Sequence, residues 1–215
     1  YSPYAFDVCG YGSYTGVSVS VENSTINGNI ELSKSKGNTY DATLTLGSGT
    51  TVNGSISVGD NGDKVAVTKD NSVDVTAPDG YKWVDGETGQ TLAKIVMVAE
   101  VNGKQYETLQ AAIDAAIRNQ TVKLIADTTE NVTMETPYLT LDLNGHTLNG
   151  GQVKGKPALT VTARVTVKDT SAEQTGTIMR EDTADNSGVS SHYVIDIQGN
   201  GWLTFESGNV TNNSG

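Results

Sequence analysis

Apolar and polar residues alternate in short segments along most of the chain. Clear examples are 17–21, 42–46, 139–143 and 158–162, in which valine, leucine or alanine recurs at every second position. Alternation with a period of two is typical of strands that bury one face. We therefore predict an all-β fold.

Asn-Gly pairs interrupt this alternation at regular places. They occur at 27–28, 53–54, 61–62, 102–103 and 144–145. Both residue types tolerate the positive φ angles of tight turns. The pairs at 27–28 and 53–54 lie at the same place in a longer unit of strand, Asn-Gly and strand, and a repeat of about 20 to 30 residues predicts a solenoid.

One segment has a helical period instead. Between residues 107 and 119 the apolar positions are Leu109, Ala112, Ile113, Ala116 and Ile117. This i, i+3, i+4 spacing predicts one short amphipathic α-helix near 107–119, with Thr108 as N-cap and Asn119 as C-terminal cap. We expect it to cover the open end of the solenoid; the alternative is an ordinary helix packed on a sheet face.

Three blocks in the second half resemble a known family. They are VNGKQYETLQAAIDAA (101–116), TVKLIAD (121–127) and LTLDLNGHTL (139–148). In this order they resemble the start of the right-handed parallel β-helix (pectate-lyase-like) modules of large Firmicutes cell-surface and adhesin proteins. Segments 193–197 and 202–213 are similar to a later strand pair of that family, so the resemblance covers about 99–215.

The first 98 residues resemble the other end of such a module. Segment 72–85 is similar to the part with which these modules close, and 4–8 echoes 193–197. We therefore expect 1–98 to be the C-terminal part of one β-helix module and 99–215 the N-terminal part of the next, or of a permuted, module.

Placed in the order 99–215 then 1–98, the two parts make one complete module. The chain begins with Tyr1 rather than methionine, and we expect a processed or excised piece that is one period of a tandem or head-to-tail array. The alternative is a piece trimmed from a longer protein.

Composition narrows the choice of partners. The 215 residues carry 14 Lys and Arg against 25 Asp and Glu, a formal charge of −11. Nucleic-acid binding is not expected, because it requires clustered cations. Membrane insertion is not expected either, because no apolar run approaches the ~18 residues of a spanning helix. Cys9 is the single cysteine, so the chain has no internal disulfide or zinc cluster. The resemblance implies an extracellular position on a bacterial cell surface.

Parallel β-helices include polysaccharide lyases and hydrolases, so catalysis needs weighing. Catalytic hydrolysis of a glycosidic bond needs two carboxylates at a set separation. The strand-associated candidates are Asp7, Asp142, Asp169 and Asp196. No Asp-Asp pair occurs, and Gly145-His146 continues into threonine, which departs from the polygalacturonase-like motif. A lyase would need a base such as arginine. Arg118 falls in the predicted helix, and only Arg164, near Lys168 and Asp169, is suggestive. We predict no enzyme, and no catalytic, cofactor-binding or metal-binding residue is assigned.

The segment 180–192 is the most polar and least patterned part of the chain. We expect it to be a loop projecting from the solenoid, where insertions often form the binding face. Its candidate ligand or partner residues are Arg180, Glu181, Asp182, Asp185 and His192. A glycan or a host-surface protein is the expected ligand.

A cofactor is not expected, although calcium stays open. The turn at 60–63 offers oxygen ligands of the kind that calcium accepts. It lacks the spacing of an EF-hand loop and of calcium-binding β-helix repeats.

These observations favour a non-catalytic structural or adhesive module. We expect it to associate with copies of itself end to end, through open β-helix termini whose backbone groups lack partners. The result would be an extracellular rod or filament. The alternatives are a carbohydrate-binding module and a polysaccharide lyase or hydrolase.

Overall fold

The computed structural model describes residues 4–10, 16–34, 41–150, 153, 155–180 and 193–213. Strands dominate these residues, and one α-helix is present among them. The prediction of an all-β fold is confirmed. The chain divides into two compact units, Tyr1–Ile95 (unit 1) and Val96–Gly215 (unit 2), whereas the sequence placed the boundary after residue 98.

The described residues of unit 1 form ten strands and one 3₁₀ turn. In chain order these are β1 (Tyr4–Gly10), β2 (Ser18–Val21), β3 (Thr25–Asn27), β4 (Asn29–Lys34), β5 (Ala42–Leu46), β6 (Thr51–Asn53), β7 (Ile56–Val58), the 3₁₀ turn Gly62–Lys64, β8 (Val65–Lys69), β9 (Tyr81–Gly86) and β10 (Gly89–Lys94).

Among the first eight strands, each strand pairs in parallel with the strand three positions further along the chain. This gives the sheets β1-β4-β7, β2-β5-β8 and β3-β6. Equivalent residues of successive strands therefore stack, as in the pairs Val19 with Leu44 and Leu44 with Val67. Their alternate apolar side chains form one buried core, in which Leu44 and Val67 have no exposed surface.

An antiparallel hairpin, β9–β10, covers the β8 edge of unit 1. β10 pairs antiparallel with β8 and with β9. The parallel part of this sheet therefore ends at β8. Trp83 on β9 donates from Nε1 to the Val75 carbonyl at 2.8 Å. The Lys69 ammonium lies 5.4 Å from the Trp83 ring centre and donates to the Val73 carbonyl at 2.7 Å. These contacts tie the last segment of the core to the hairpin.

Within the part of unit 2 that the structure describes there are thirteen strands and helix α1. They are β11 (Ala99–Val101), β12 (Lys104–Tyr106), α1 (Leu109–Ala115), β13 (Thr121–Leu124), β14 (Thr128–Thr129), β15 (Val132–Met134), β16 (Thr140–Asp142), β17 (Thr147–Gly150), β18 (Leu159–Val161), β19 (Arg164–Lys168), β20 (Thr177–Arg180), β21 (Ile195–Ile197), β22 (Trp202–Phe205) and β23 (Asn209–Asn212).

Unit 2 repeats the pairing rule of unit 1. The parallel sheets are β13-β16-β19-β22, β14-β17-β20-β23 and β15-β18-β21, and the antiparallel hairpin β11–β12 lies against β13. Leu141, Val167 and Phe205 stack in one column of the core. The assignment to a right-handed parallel β-helix goes beyond these pairings and stays a prediction.

Helix α1 begins as predicted and ends earlier. The Thr108 hydroxyl accepts a hydrogen bond from the Ala111 N–H at 3.1 Å, which confirms it as N-cap. Asn119 as C-terminal cap was wrong, because Ala116 already has an extended backbone. The Ile117 N–H is bound by the Gln120 side chain at 3.0 Å, and Ile117 lies off the buried stripe, 67% exposed.

A second carboxylate holds the helix start on the strands. Glu130 lies between β14 and β15 and accepts from the Leu109 and Gln110 N–H groups at 2.7 and 3.1 Å. Thr128 donates to the same carboxylate at 2.6 Å. Helix N-termini leave such N–H groups without intrahelical partners, and a negative charge there is favourable.

Replacing Glu130 should therefore loosen α1. We expect Glu130→Ala to lower the free energy of opening of segment 107–120 by about 2 kcal/mol, since two charge-assisted bonds to backbone N–H groups are lost. Hydrogen exchange followed by mass spectrometry measures this directly. The control Glu135→Ala, at an exposed position, should leave exchange within about 0.5 kcal/mol of the parent. Equal protection in both variants would refute the role of Glu130.

Candidate functional site

Of the residues predicted to form a ligand loop, only Arg180 belongs to the described part of the chain. Glu181, Asp182, Asp185 and His192 lie outside the described residues. Arg180 ends β20 with its side chain buried, and its guanidinium donates to the Tyr193 carbonyl at 3.3 Å. Arg180 is thus placed in the protein interior, and a ligand loop at 180–192 stays a prediction.

The aspartates weighed for catalysis do not gather at one cleft. Asp142 ends β16 and Asp169 directly follows β19, whereas Asp196 lies in β21 of another sheet. Asp7 belongs to unit 1 and accepts from the Ser33 hydroxyl at 3.0 Å. This arrangement gives no support to an acid and base pair formed from these residues.

Asp142 is engaged in holding two turns together. Its carboxylate accepts from the Asn144 N–H at 3.0 Å within its own turn. From the next turn it accepts the Thr170 N–H at 3.0 Å and the Thr170 hydroxyl at 2.6 Å. With 4% of the residue exposed, Asp142 therefore replaces backbone pairing where the strands end.

Asp169 repeats this role one turn further. Its carboxylate accepts from the Gly145 N–H at 2.9 Å, the Ser171 N–H at 2.9 Å and the Gly176 N–H. Its own N–H donates to the Ser207 hydroxyl at 2.8 Å. Asp169 thus connects the turns after β16, β19 and β22. We call Asp142 and Asp169 the turn carboxylates.

The hydrogen bonds decide the protonation of Asp169. Burial raises the pKa of its carboxyl, but the N–H groups of Ser171, Gly176 and Gly145 outweigh burial, so the pKa lies below the ordinary value. A depressed pKa in the folded protein means that the carboxylate stabilises the fold above the unfolded value, about 3.9. That stabilisation is lost as the pH falls through the folded pKa.

Asp169→Asn tests this role. We expect the variant to lose about 2 kcal/mol of unfolding free energy at pH 7, because an amide cannot accept all three N–H groups. Between pH 5 and 3 its stability should fall less steeply than that of the parent, since the titrating group is gone. Urea unfolding at several pH values measures both effects.

The control for this substitution is Asp196→Asn. The Asp196 side chain accepts from Gln198 at 2.7 Å in an exposed setting, so its replacement should change stability by less than about 0.5 kcal/mol. If both variants behave alike at pH 7 and in acid, the turn carboxylates do not stabilise unit 2.

The turn considered for calcium is used by the protein itself. Asn61 adopts a positive φ and its side-chain amide donates to the Lys34 carbonyl at 3.2 Å. Asp63 lies 3.8 Å from the Lys64 ammonium. Across the residues that the structure describes, no group of three or more His, Cys, Asp or Glu is placed to hold a metal ion.

Unit 2 presents the outermost edge of its three parallel sheets at β21, β22 and β23. Their inward-facing side chains are poorly covered. Ile197 is 51% and Val210 is 49% exposed, while Leu203 and Phe205 are partly buried against the core. Each of these residues continues a column whose preceding members are buried, such as Val161 under Ile197.

The backbone of this edge also has hydrogen-bonding groups that face outward. The N–H groups of Trp202 and Glu206 donate to carbonyls within 163–167, and those of Asn209 and Asn213 donate to carbonyls within 176–180. Because consecutive N–H groups of a parallel strand alternate in direction, Leu203, Phe205 and Val210 present theirs on the outer side. This edge therefore has both apolar side chains and backbone groups suited to a further strand.

Unit 1 has a corresponding edge at β1, β2 and β3, the first members of its parallel sheets. Phe6, Val19 and Val21 are partly buried against the core. The carbonyls of Val17 and Val21 accept from Thr43 and Gly47, so Ser18 and Ser20 present their backbone groups on the outer side. Sequence reasoning anticipated open ends, and only the pairing shows which strands form them.

No protein-family model matches the chain, and no curated protein and no solved structure matches it. The family resemblance of the sequence therefore stays a prediction. Among the described residues, no helix is long and apolar enough to cross a membrane.

Proposed function

We propose that this chain is a non-catalytic structural module of an extracellular rod or filament. Both units are parts of a right-handed parallel β-helix, and the edge of unit 2 in one copy pairs with the edge of unit 1 in the next. The observation that carries the proposal is the complementarity of the two edges, β21–β23 and β1–β3. The resemblance to Firmicutes surface modules supports a position on a bacterial cell surface and an adhesive role.

The pairing pattern supports a β-helix in each unit. Three consecutive strands make one turn of the chain, and the following three lie beside them at the spacing of a parallel sheet, about 4.8 Å. Stability then accumulates between neighbouring turns. Hairpin β9–β10 and hairpin β11–β12 with α1 cover one side of each unit, which leaves the opposite edges for assembly.

The two edges match in strand order and in the connection between their last two strands. Residues 206–208 connect β22 to β23, and the equally long segment 22–24 connects β2 to β3. The sequence around Asp196 likewise echoes that around Asp7. If β23 is followed by β1 of another copy, β1 extends the sheet of β21, β2 extends that of β22, and β3 extends that of β23.

Backbone direction specifies the register. The outward groups of Leu203 can bind Ser18 and Ser20 in a parallel pair when Leu203 lies beside Val19. The same shift places Phe205 beside Val21 and Val210 beside Ile26. Apolar residues thereby meet apolar residues in three columns of the proposed joint core.

Pairing between different edges of successive copies is heterologous, and it yields a filament when the rotation between copies does not close a ring.

Charge limits the association to the ends. Each copy contributes a formal charge of −11, so parallel filaments repel one another at low salt. End-to-end contacts bury apolar columns and backbone groups and tolerate this repulsion better than side-by-side contacts do.

Val210→Lys tests the proposed joint. A lysine there places a charge in an apolar column at the edge, which is a known way to prevent strand addition. We expect sedimentation velocity to show concentration-dependent oligomers for the parent and an apparent dissociation constant at least roughly tenfold higher for the variant.

Thr211→Lys is the matched control. It adds the same charge on the same strand, at the outward-facing exposed position, and should assemble like the parent. A parent that stays monomeric at high micromolar concentration would contradict the proposal. So would an equal effect of the two lysines.

A further inference from the structure

Four side chains on the outer surface of unit 2 form a row that the proposed assembly does not use. Arg118 follows α1, Tyr138 precedes β16, Arg164 begins β19 and Trp202 begins β22. We call them the guanidinium–aromatic strip. Arg164 and Trp202 are paired residues of neighbouring strands, and Tyr138 and Arg118 continue the row beyond Arg164.

The strip alternates cations and rings. The Arg118 guanidinium lies 4.3 Å from the Tyr138 ring centre, and the Arg164 guanidinium lies 5.8 Å from the same ring. Arg164 is also 5.4 Å from the Trp202 ring centre. Contacts of this length are attractive, and they restrict the rotamers of long side chains before any ligand binds.

The strip is accessible, and its charges have no carboxylate partner within the described residues. Tyr138 is 43% and Trp202 is 61% exposed, and both arginines are exposed. The neighbouring carboxylate Asp114 is bound instead by the Gln110 amide at 2.7 Å. Two guanidinium groups are thus left uncompensated on a chain whose net charge is strongly negative.

A column of hydroxyl groups lies beside the strip. Thr121, Thr140, Thr166 and Thr204 are paired residues of successive strands. They face outward, because their neighbours in each strand are buried or partly buried apolar residues. Hydroxyls repeated at the strand spacing suit an extended ligand that is itself rich in hydroxyls.

We propose that this surface binds a linear sulfated glycan. A guanidinium stacked on a ring keeps its in-plane N–H donors, which match the oxygens of a sulfate group in a bidentate manner. Trp202 supplies an apolar surface for the C–H face of a sugar ring, and the threonines exchange hydrogen bonds with sugar hydroxyls. The strip lies within one unit, so binding does not depend on assembly.

The experiment uses the full chain carrying Val210→Lys, which keeps assembly from contributing to the signal. The probe is a size-defined heparin octasaccharide, compared with its desulfated form and with an oligogalacturonate that carries carboxylates only. Isothermal titration measures affinity. The chain has two tryptophans, so Trp83→Phe leaves Trp202 as the fluorescent reporter of contact with the strip.

We expect the sulfated octasaccharide to bind and to change the Trp202 emission, with affinity falling as salt rises. Arg118→Gln and Arg164→Gln should each weaken binding roughly tenfold. The control Lys94→Gln removes one positive charge at an exposed site of unit 1 and should leave the affinity within twofold.

Several results would overturn the proposal. Equal affinity for the desulfated or the carboxylated chain would remove the sulfate assignment. Unchanged binding in both arginine variants would place the ligand elsewhere. The same arginine substitutions, made in the parent chain, would reassign the strip to contacts between copies if they changed self-association while glycan binding stayed the same. The first two outcomes do not depend on whether the filament forms.

Discussion

Parallel hydrogen bonding between strands that lie three apart along the chain is the interaction on which the structure depends. It aligns equivalent residues of successive turns, so valine and leucine stack into continuous columns while serine and threonine stack outside. The same bonding leaves the two ends of each stack of strands incomplete. The first and last turns always have backbone groups and apolar columns that need a further neighbour.

The two units meet this need in two ways. On one side of each unit an antiparallel hairpin takes the place of the next parallel strand, and in unit 2 helix α1 adds a buried apolar stripe. Where strands end inside a unit, the turn carboxylates Asp142 and Asp169 bind N–H groups that a sheet would otherwise satisfy. The other side of each unit retains outward backbone groups, and in the proposed assembly the next copy binds them.

Much of this fold could be predicted from local pattern. Alternation identified most strands, and the spacing of Leu109, Ala112 and Ile113 identified the helix with its Thr108 cap. The end of the helix was missed because Gln120 binds the Ile117 N–H, a tertiary detail with no periodic signal. Asp142 and Asp169 were weighed as catalytic candidates. Their structural role depends on contacts with Thr170 and Gly145, which lie 28 and 24 residues away in sequence.

The candidate surfaces were less predictable still. Tyr138 and Trp202 do not belong to any repeated motif, and only the pairing of β19 with β22 brings Trp202 beside Arg164. The open edges were foreseen in general terms from the resemblance, but their register follows from which N–H groups are already bonded. Arg180 was also misjudged from sequence. It was assigned to the predicted loop because it borders a polar segment, yet its side chain is buried.

Cross-linking across the proposed joint tests the central claim most directly. When Asp196 of one copy lies beside Asp7 of the next, as their similar sequences suggest, Gln198 lies beside Cys9 at the strand spacing of about 4.8 Å, a Cα separation that a disulfide spans. We predict that Gln198→Cys gives a ladder of covalent multimers under mild oxidation, and that it gives none when combined with Cys9→Ser. Asp196→Cys, two residues out of register, should give far fewer. Monomers alone from Gln198→Cys, or equal ladders from both positions, would contradict the account.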